Sequence, residues 1–248
     1  MMHEPFRTTR LGMLTPSSNT VLEPTTARML ADVPGVTAHF GRFRVTRIAL
    51  TEDSLGQFDP APIVEAARLL ADAEMHVIAW NGTSAGWLGF DSDERLCSAI
   101  TAATGARSTS SVLALNAALR RLGVSRMALV TPYTGDVQAR IIANYRAAGI
   151  EVVAERHLDD PGNFSFAQYD DATVAALVRE VAHVQAGPGP QAVVVLCTNF
   201  RGAACVPALE AELGMPVLDS IAVTLWHSML LADAPAVRVQ GWGRVFTL

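Results

Sequence analysis

The sequence contains no lysine, and all 19 of its basic residues are arginine. Pyridoxal phosphate anchoring, Schiff-base chemistry and P-loop nucleotide binding all require a lysine, so these function classes are excluded. The net charge of -5 and the lack of a basic cluster argue against nucleic-acid binding. No apolar run reaches the roughly 18 residues that a membrane span needs, and the N-terminus lacks the apolar segment of a secretion signal. We therefore expect a cytoplasmic protein that binds neither nucleic acid nor membrane.

Cysteine and histidine are also scarce and widely spaced. The three cysteines, Cys97, Cys197 and Cys205, include no C-x-x-C pair, and the six histidines show no H-x-H or H-E-x-x-H spacing. We therefore expect three free thiols and no metal site. Cys97 and Cys205 lie in segments typical of helices, which favours structural roles for both. Cys197 differs because it ends an apolar run and precedes a polar turn.

Short apolar runs alternate with segments of helix length along the chain. The runs RLGMLT, HVIAW, RMALVT and AVVVLC are each followed by a helix-prone stretch. Strands that are apolar throughout and alternate with helices are typical of a parallel sheet covered on both faces. The sequence therefore predicts the α/β fold class.

Two pairs of motifs recur at nearly the same offset. RLGMLTP begins at Arg10 and RMALVTP begins at Arg126, which is 116 residues later. Thr83 of NGTS and Thr198 of LCTN are 115 residues apart. Unrelated strand-turn segments can also look alike, but two matches in register indicate a duplicated unit.

The duplication predicts two pseudo-symmetric α/β lobes, each a short parallel sheet flanked by helices. We assign residues 1–112 and 216–248 to the first lobe and residues 113–215 to the second. Ligands of open α/β sheets bind beyond the carboxyl ends of the strands. We therefore predict an active site in the interlobe cleft, built from the motifs TPSSN, NGTSAG, TPYTGD and CTNFRG.

The repeat aligns Cys197 with Gly82, so only one side of the predicted cleft has a thiol. A thiol near its reference pKa of about 8.5 is mostly protonated at neutral pH and can donate a proton to one face of a carbanion. Hydroxyl side chains and the N–H groups of strand-to-helix turns would surround this thiol, and such donors favour an anion. A carboxylate that becomes an enediolate suits these donors.

The motifs LGMLTPSSNTVLEP, NGTSAG, VTPYTGDV and VLCTNFRG, in this order, resemble the aspartate/glutamate racemase superfamily. Within it they resemble the maleate cis-trans isomerase and arylmalonate decarboxylase group, over nearly the whole chain. The resemblance implies a cleft that needs no cofactor and a small carboxylate as substrate. The superfamily usually has one cysteine per lobe, whereas this chain has Gly82 in the first lobe.

The resemblance divides between two activities. The turn TPSSN is more like the isomerases, in which Asn19 would contact a substrate carboxylate. The motif GTS and the single second-lobe cysteine are more like the decarboxylases, in which Cys197 would protonate the enediolate. The predicted carboxylate-binding residues are Pro16, Ser17, Asn19, Gly82, Thr83, Ser84, Tyr133 and Thr198.

We therefore expect a decarboxylase of a substituted malonate or related small dicarboxylate, with maleate-type isomerisation or Asp/Glu-type racemisation as alternatives. The departing carboxylate would occupy an apolar pocket near Trp80, Trp87, Leu88 or Phe200. Losing it as carbon dioxide would relieve the cost of burying a carboxylate without partners.

Two further classes stay open. GTSAG fits the G-x-S-x-G nucleophile elbow, with Ser84 as nucleophile and Asp219 and His227 in the order that a hydrolase needs. The hydrolase does not explain the repeat. A two-lobed protein could also bind carboxylates without catalysis. The sequence leaves homo-oligomer formation open.

Overall fold

The computed structural model of the protein describes residues 8–48, 50, 59–183 and 187–248. The strands of this part of the chain form two parallel sheets of four strands each. The first sheet has the order β2-β1-β3-β4 and consists of β1 (Thr9–Pro16), β2 (Val36–Phe43), β3 (Val77–Trp80) and β4 (Arg107–Ser110). The second has the order β6-β5-β7-β8 and consists of β5 (Arg126–Thr131), β6 (Glu151–His157), β7 (Ala192–Val195) and β8 (Val217–Asp219).

Helices flank both sheets. They are α1 (Leu22–Leu30), α2 (Pro60–Ala71), α3 (Ala85–Leu88), α4 (Phe90–Thr104), α5 (Ser111–Leu122), α6 (Gly135–Ala147), α7 (Asp171–Ala182), α8 (Val206–Leu213) and α9 (Ser220–Leu231). Short 3₁₀ helices lie at Ser165–Gln168, Ala203–Cys205, Ala236–Arg238 and Arg244–Thr247. Every residue of β3 and β7 is buried, as expected for strands covered on both faces. The predicted α/β fold class is confirmed.

The register of the strands follows the offsets of the repeat. Leu14 of β1 pairs with Trp80 of β3, and Val130 of β5 pairs with Val195 of β7. Leu14 and Val130 are 116 residues apart, and Trp80 and Val195 are 115 residues apart. The two lobes therefore correspond strand for strand, and Trp80 occupies the position that Val195 has in the second lobe.

The predicted division of the chain is wrong at one strand. Residues Val217–Asp219 form β8, which pairs with β7 and therefore belongs to the second sheet, whereas the sequence pattern assigns 216–248 to the first lobe. The physical reason is that β8 supplies the edge strand that β4 supplies in the first sheet. Helix α9 then packs against β4 of the first sheet and against α5. The remaining boundaries stay a prediction. None of the described helices is long and apolar enough to cross a membrane.

Two asparagines connect the lobes where β1 and β7 end. Asn19 donates from Nδ2 to Thr198 Oγ1 of the second lobe at 3.2 Å. Asn199 of the second lobe accepts at Oδ1 from the backbone N–H groups of Thr20 (2.9 Å) and Val21 (3.2 Å) in the first. Its Nδ2 donates to the Asn163 carbonyl oxygen at 2.5 Å. Both asparagines are 1% exposed, so these bonds are shielded from water. We name Asn19 and Asn199 the interlobe pair.

We predict that Asn199→Ala destabilises the protein by about 3 kcal/mol, because the Thr20 N–H and the Asn163 carbonyl would lose a buried partner. Urea unfolding followed by circular dichroism measures this change in the free energy of unfolding. Asn116→Ala is the matched control, since the buried Asn116 Oδ1 accepts no hydrogen bond from the described residues. Equal losses in the two variants would contradict a role for Asn199 in joining the lobes.

Candidate active site

A small cavity of about 20 Å³ lies between the carboxyl ends of the two sheets. Seven of the nine predicted site residues line it, namely Pro16, Gly82, Thr83, Ser84, Tyr133, Cys197 and Thr198. Asn19 lies behind this lining and contacts Thr198. Ser17 is not brought to the cavity: it is exposed, and its hydroxyl exchanges hydrogen bonds with the Val45 backbone. The cleft residues therefore come from both lobes.

Cys197 follows β7 by two residues and is 2% exposed. Burial raises the pKa of its thiol to about 12, more than the hydrogen bonds from Tyr133 and the Asn199 backbone lower it. The Asn199 N–H lies 3.4 Å from Sγ. Cys197 is therefore a protonated thiol at neutral pH, with two donors that would stabilise the thiolate left by proton transfer.

The Tyr133 hydroxyl lies between Thr83 and Cys197. Its oxygen is 2.5 Å from Thr83 Oγ1, and it also hydrogen-bonds the Cys197 thiol. Burial raises the pKa of Tyr133 well above its usual value, so the phenol is neutral. The ring packs edge-on against Trp87 and Phe166, with centroids 5.4 and 5.5 Å away. This packing fixes the hydroxyl beside both the thiol and the first lobe.

A second chain of hydrogen bonds crosses the cleft floor. Thr198 Oγ1 donates to the Asn81 carbonyl at 2.8 Å and accepts from Asn19 at 3.2 Å. By contrast, the Ser84 hydroxyl bonds to no other part of the described chain, so it is available to a ligand.

Backbone donors add to the hydroxyl groups. Gly82, Thr83 and Thr198 line the cavity, and within the described ranges their N–H groups donate to no protein acceptor. Unpaired N–H groups beside hydroxyls are the arrangement that stabilises an oxyanion. The cavity can therefore hold a carboxylate, or the enediolate formed from one, next to a neutral thiol.

The first lobe has an indole ring where the second has the thiol. A Cβ atom built on Gly82 would lie 1.8 Å from Cζ2 of Trp80, so the indole occupies the space that a side chain at 82 would need. Trp80 is 1% exposed and its ring lies 5.0 Å from that of Phe43. Sequence reasoning placed Trp80 near the pocket but missed that it fills the first-lobe half of the cleft.

The other expected pocket residues are distributed differently. Trp87 lines the cavity, whereas Leu88 lines a larger neighbouring one. Phe200 is buried against Tyr169, with ring centroids 5.9 Å apart, and is not part of the cavity lining. The lining also includes Val45, Ile48 and Asn163, which sequence reasoning missed because they lie on loops outside the repeated motifs.

The hydrolase alternative requires a triad that the structure does not assemble. His227 Nδ1 lies 2.7 Å from Thr109 Oγ1. Asp219 accepts from the N–H groups of Ile221 and Ala222 and so caps α9. Neither residue lines the cavity in which Ser84 lies. In the described structure, His227 and Asp219 therefore do not form a catalytic triad with Ser84.

Comparison with known proteins agrees with this geometry. The sequence model of the arylmalonate decarboxylase family matches residues 11–246. This chain belongs to the arylmalonate decarboxylase family. The predicted resemblance to the decarboxylase and isomerase group is thereby confirmed.

Individual relatives cover nearly the whole chain. Arylmalonate decarboxylase from Bordetella bronchiseptica is 29% identical over 240 residues, which are 96% of this chain and 97% of the relative. Maleate isomerase from Geobacillus stearothermophilus is 26% identical over 227 residues, 88% of this chain and 89% of the relative. The structure of a Nocardia farcinica maleate cis-trans isomerase mutant with a covalently bound succinylcysteine intermediate superimposes with a TM-score of 0.84 at 26% identity. The superposition covers 96% of this chain and 98% of the isomerase chain. The chain is therefore similar to enzymes of both activities.

We predict that Gly82→Ala destabilises the protein by about 1 to 3 kcal/mol, because the new methyl group would overlap the Trp80 indole and force it to move. Thermal and urea unfolding measure the loss. Gly189→Ala is the control, since a Cβ at 189 meets nothing within 4 Å. A Gly82→Ala variant as stable as the control would contradict the placement of the indole against Gly82.

Proposed function

We propose that this protein is a cofactor-independent decarboxylase of a substituted malonate or related small dicarboxylate. The observation that carries the proposal is the asymmetry of the cleft: a protonated Cys197 shares the cavity with Gly82 and Trp80, and no second cysteine is among the described lining residues. One acid can protonate one face of a carbanion, whereas racemisation needs a proton donor and an acceptor on opposite faces.

The proposed reaction breaks the bond between the α-carbon and one carboxylate. Carbon dioxide leaves, and the electron pair stays on the α-carbon and the retained carboxylate as an enediolate. The hydroxyls of Thr83, Ser84 and Tyr133 and the N–H groups of the turns stabilise its two oxygens. The Cys197 S–H then donates its proton to the α-carbon, and water reprotonates the thiolate. Thr198, with Asn19 behind it, positions the second-lobe turn.

The raised thiol pKa supports an acid over a nucleophile. A maleate-type isomerisation through a cysteine adduct starts from a thiolate, which is the reactive form of the side chain. Burial disfavours that form for Cys197, and position 82 offers no second thiol. Isomerisation remains the second candidate, because relatives of similar identity are maleate isomerases.

We predict that Cys197→Ala lowers the rate of carbon dioxide release from a panel of substituted malonates by about 1000-fold or more, because the only acid in the proposed step is lost. Carbon-13 NMR of the released bicarbonate measures this rate. Cys205→Ala is the matched control, since its half-buried thiol contacts the Asp171 carbonyl, outside the cavity.

Assays with maleate and with an ester, and binding measurements with dicarboxylates, separate the alternatives when run beside the malonate panel. Full activity in Cys197→Ala would overturn the mechanism. If the wild type forms fumarate from maleate and Cys197→Ala does not, the protein is an isomerase. If the wild type hydrolyses an ester and only Ser84→Ala loses this activity, the protein is a hydrolase. Binding of dicarboxylates by the wild type with no turnover of any would identify a carboxylate-binding protein.

We also predict a level pH profile. The acid form of Cys197 persists as long as the pH is below its raised pKa of about 12. The value of kcat/KM should therefore stay constant from about pH 7 to about pH 10 and fall only above that range. Steady-state kinetics over this range, with circular dichroism to verify folding at each pH, provides the measurement. A loss of activity with a midpoint near the ordinary thiol pKa of about 8.5 would contradict the buried, protonated thiol.

A further inference from the structure

Trp80 separates two cavities. Its indole and the Ser84 side chain line both the cavity beside Cys197 and a neighbouring cavity of about 420 Å³ in the first lobe. The larger cavity is otherwise lined by the apolar residues Pro60, Ile63, Leu88, Leu96 and Ala99, with Ser92, Asp93 and Arg95 as its polar members. The indole is therefore the partition between the proposed reaction site and a largely apolar space.

The cavity beside Cys197 is much too small for a dicarboxylate. Its volume of about 20 Å³ is close to that needed for one water molecule. A lining group must therefore move when substrate binds. Thr83, Tyr133 and Thr198 are fixed by hydrogen bonds, whereas Trp80 Nε1 has no hydrogen-bond partner in the described part of the chain.

The internal symmetry shows how much space the indole takes. Trp80 stands where the second lobe has Val195, and Gly82 stands where it has Cys197. The ring extends over Gly82 and fills the position of the absent side chain. A smaller residue at 80, such as the valine of the second lobe, would leave that space empty and open it to the larger cavity.

We propose that Trp80 is a specificity-determining residue that restricts this enzyme to dicarboxylates with a compact substituent, about the size of a vinyl group. This inference rests on the proposed decarboxylase function. The indole can shift enough to admit a small substituent, but an aromatic ring would need the space that the indole itself occupies. Removing the indole joins the two cavities and gives an aromatic substituent a pocket.

The test compares vinylmalonate with phenylmalonate. Both substituents place a π system next to the reacting carbon and so delocalise the carbanion, but they differ in size. The wild type should favour vinylmalonate in kcat/KM. Trp80→Leu should shift the ratio towards phenylmalonate by at least about 30-fold, within the range that pocket size alone can supply. Trp80→Phe should give an intermediate shift and serves where the leucine variant folds poorly.

Trp226→Leu is the matched control. Trp226 is fully buried in α9, and its Nε1 also lacks a partner in the described ranges, but it lines neither of the two cavities. Its substitution should destabilise the protein while leaving the substrate ratio unchanged. A similar shift in this variant would show that loosened packing changes the ratio, and would overturn the inference.

Calorimetric binding distinguishes failure of the inference from failure of the proposed function. In the Cys197→Ala background, phenylmalonate should bind more tightly after Trp80→Leu, relative to vinylmalonate, without any turnover. If the wild type decarboxylates both substrates and neither Trp80 variant alters their kcat/KM ratio, the inference about Trp80 is overturned while the proposed function stands. Absence of both turnover and binding for the two malonates would overturn the proposed function and this inference with it.

Discussion

The geometry of the cleft depends on the hydrogen bonds of the interlobe pair. The N-terminal N–H groups of α1 need acceptors, as at the start of any helix. Asn19 supplies one from its own lobe, with Oδ1 accepting from Val21 and Leu22 at 3.0 and 2.9 Å. Asn199 supplies another from the opposite lobe and shares the Val21 N–H at 3.2 Å. The start of one helix thus holds together the strand ends of two sheets, and Cys197 lies two residues before Asn199.

This constraint also determines the protonation state of the thiol. Because the lobes are joined directly at the strand ends, Cys197 is buried, and its pKa rises to about 12. Among the described residues, the Tyr133 hydroxyl and the Asn199 N–H donate to sulfur and partly offset this rise. A site that keeps the thiol neutral yet retains donors for the thiolate suits reversible proton donation. The same burial disfavours the thiolate, which is the nucleophilic form of the side chain.

Much of the fold could be predicted because the relevant signals are local or repeated. The apolar runs that form β1, β3, β5 and β7 each end in a polar turn, and the offset of the repeat shows which strands of the two lobes correspond. The edge strand β8 falls in the wrong lobe of the predicted division, since its three residues, Val217–Asp219, are too short to give a periodic signal. The α/β pattern and the position of the cleft can be predicted from sequence. The lobe that a short edge strand joins is known only from the strand with which it forms hydrogen bonds, here β7.

The site was less predictable for a different physical reason. Sequence motifs indicate which residues follow a strand, and this was enough to bring Thr83, Tyr133 and Cys197 into one cavity. They do not show which way a side chain turns. Ser17 lies in the predicted turn but bonds to the Val45 backbone instead, while Asn163 reaches the cavity from a loop with no motif.

The two lobes differ at two pairs of corresponding positions, and this difference affects both the number of thiols in the cleft and the space within it. In the second lobe a valine at 195 leaves room for the thiol at 197. In the first lobe a glycine at 82 leaves room for the indole at 80. A Cβ atom at 82 would lie only 1.8 Å from the ring, so the indole and any side chain at 82 exclude each other. A second thiol would therefore require a smaller residue at 80 as well, and that change would also open the neighbouring cavity. Residues 80 and 82 thus link the two properties in one direction: a second acid at 82 requires a smaller residue at 80, whereas a smaller residue at 80 alone opens the space without adding an acid.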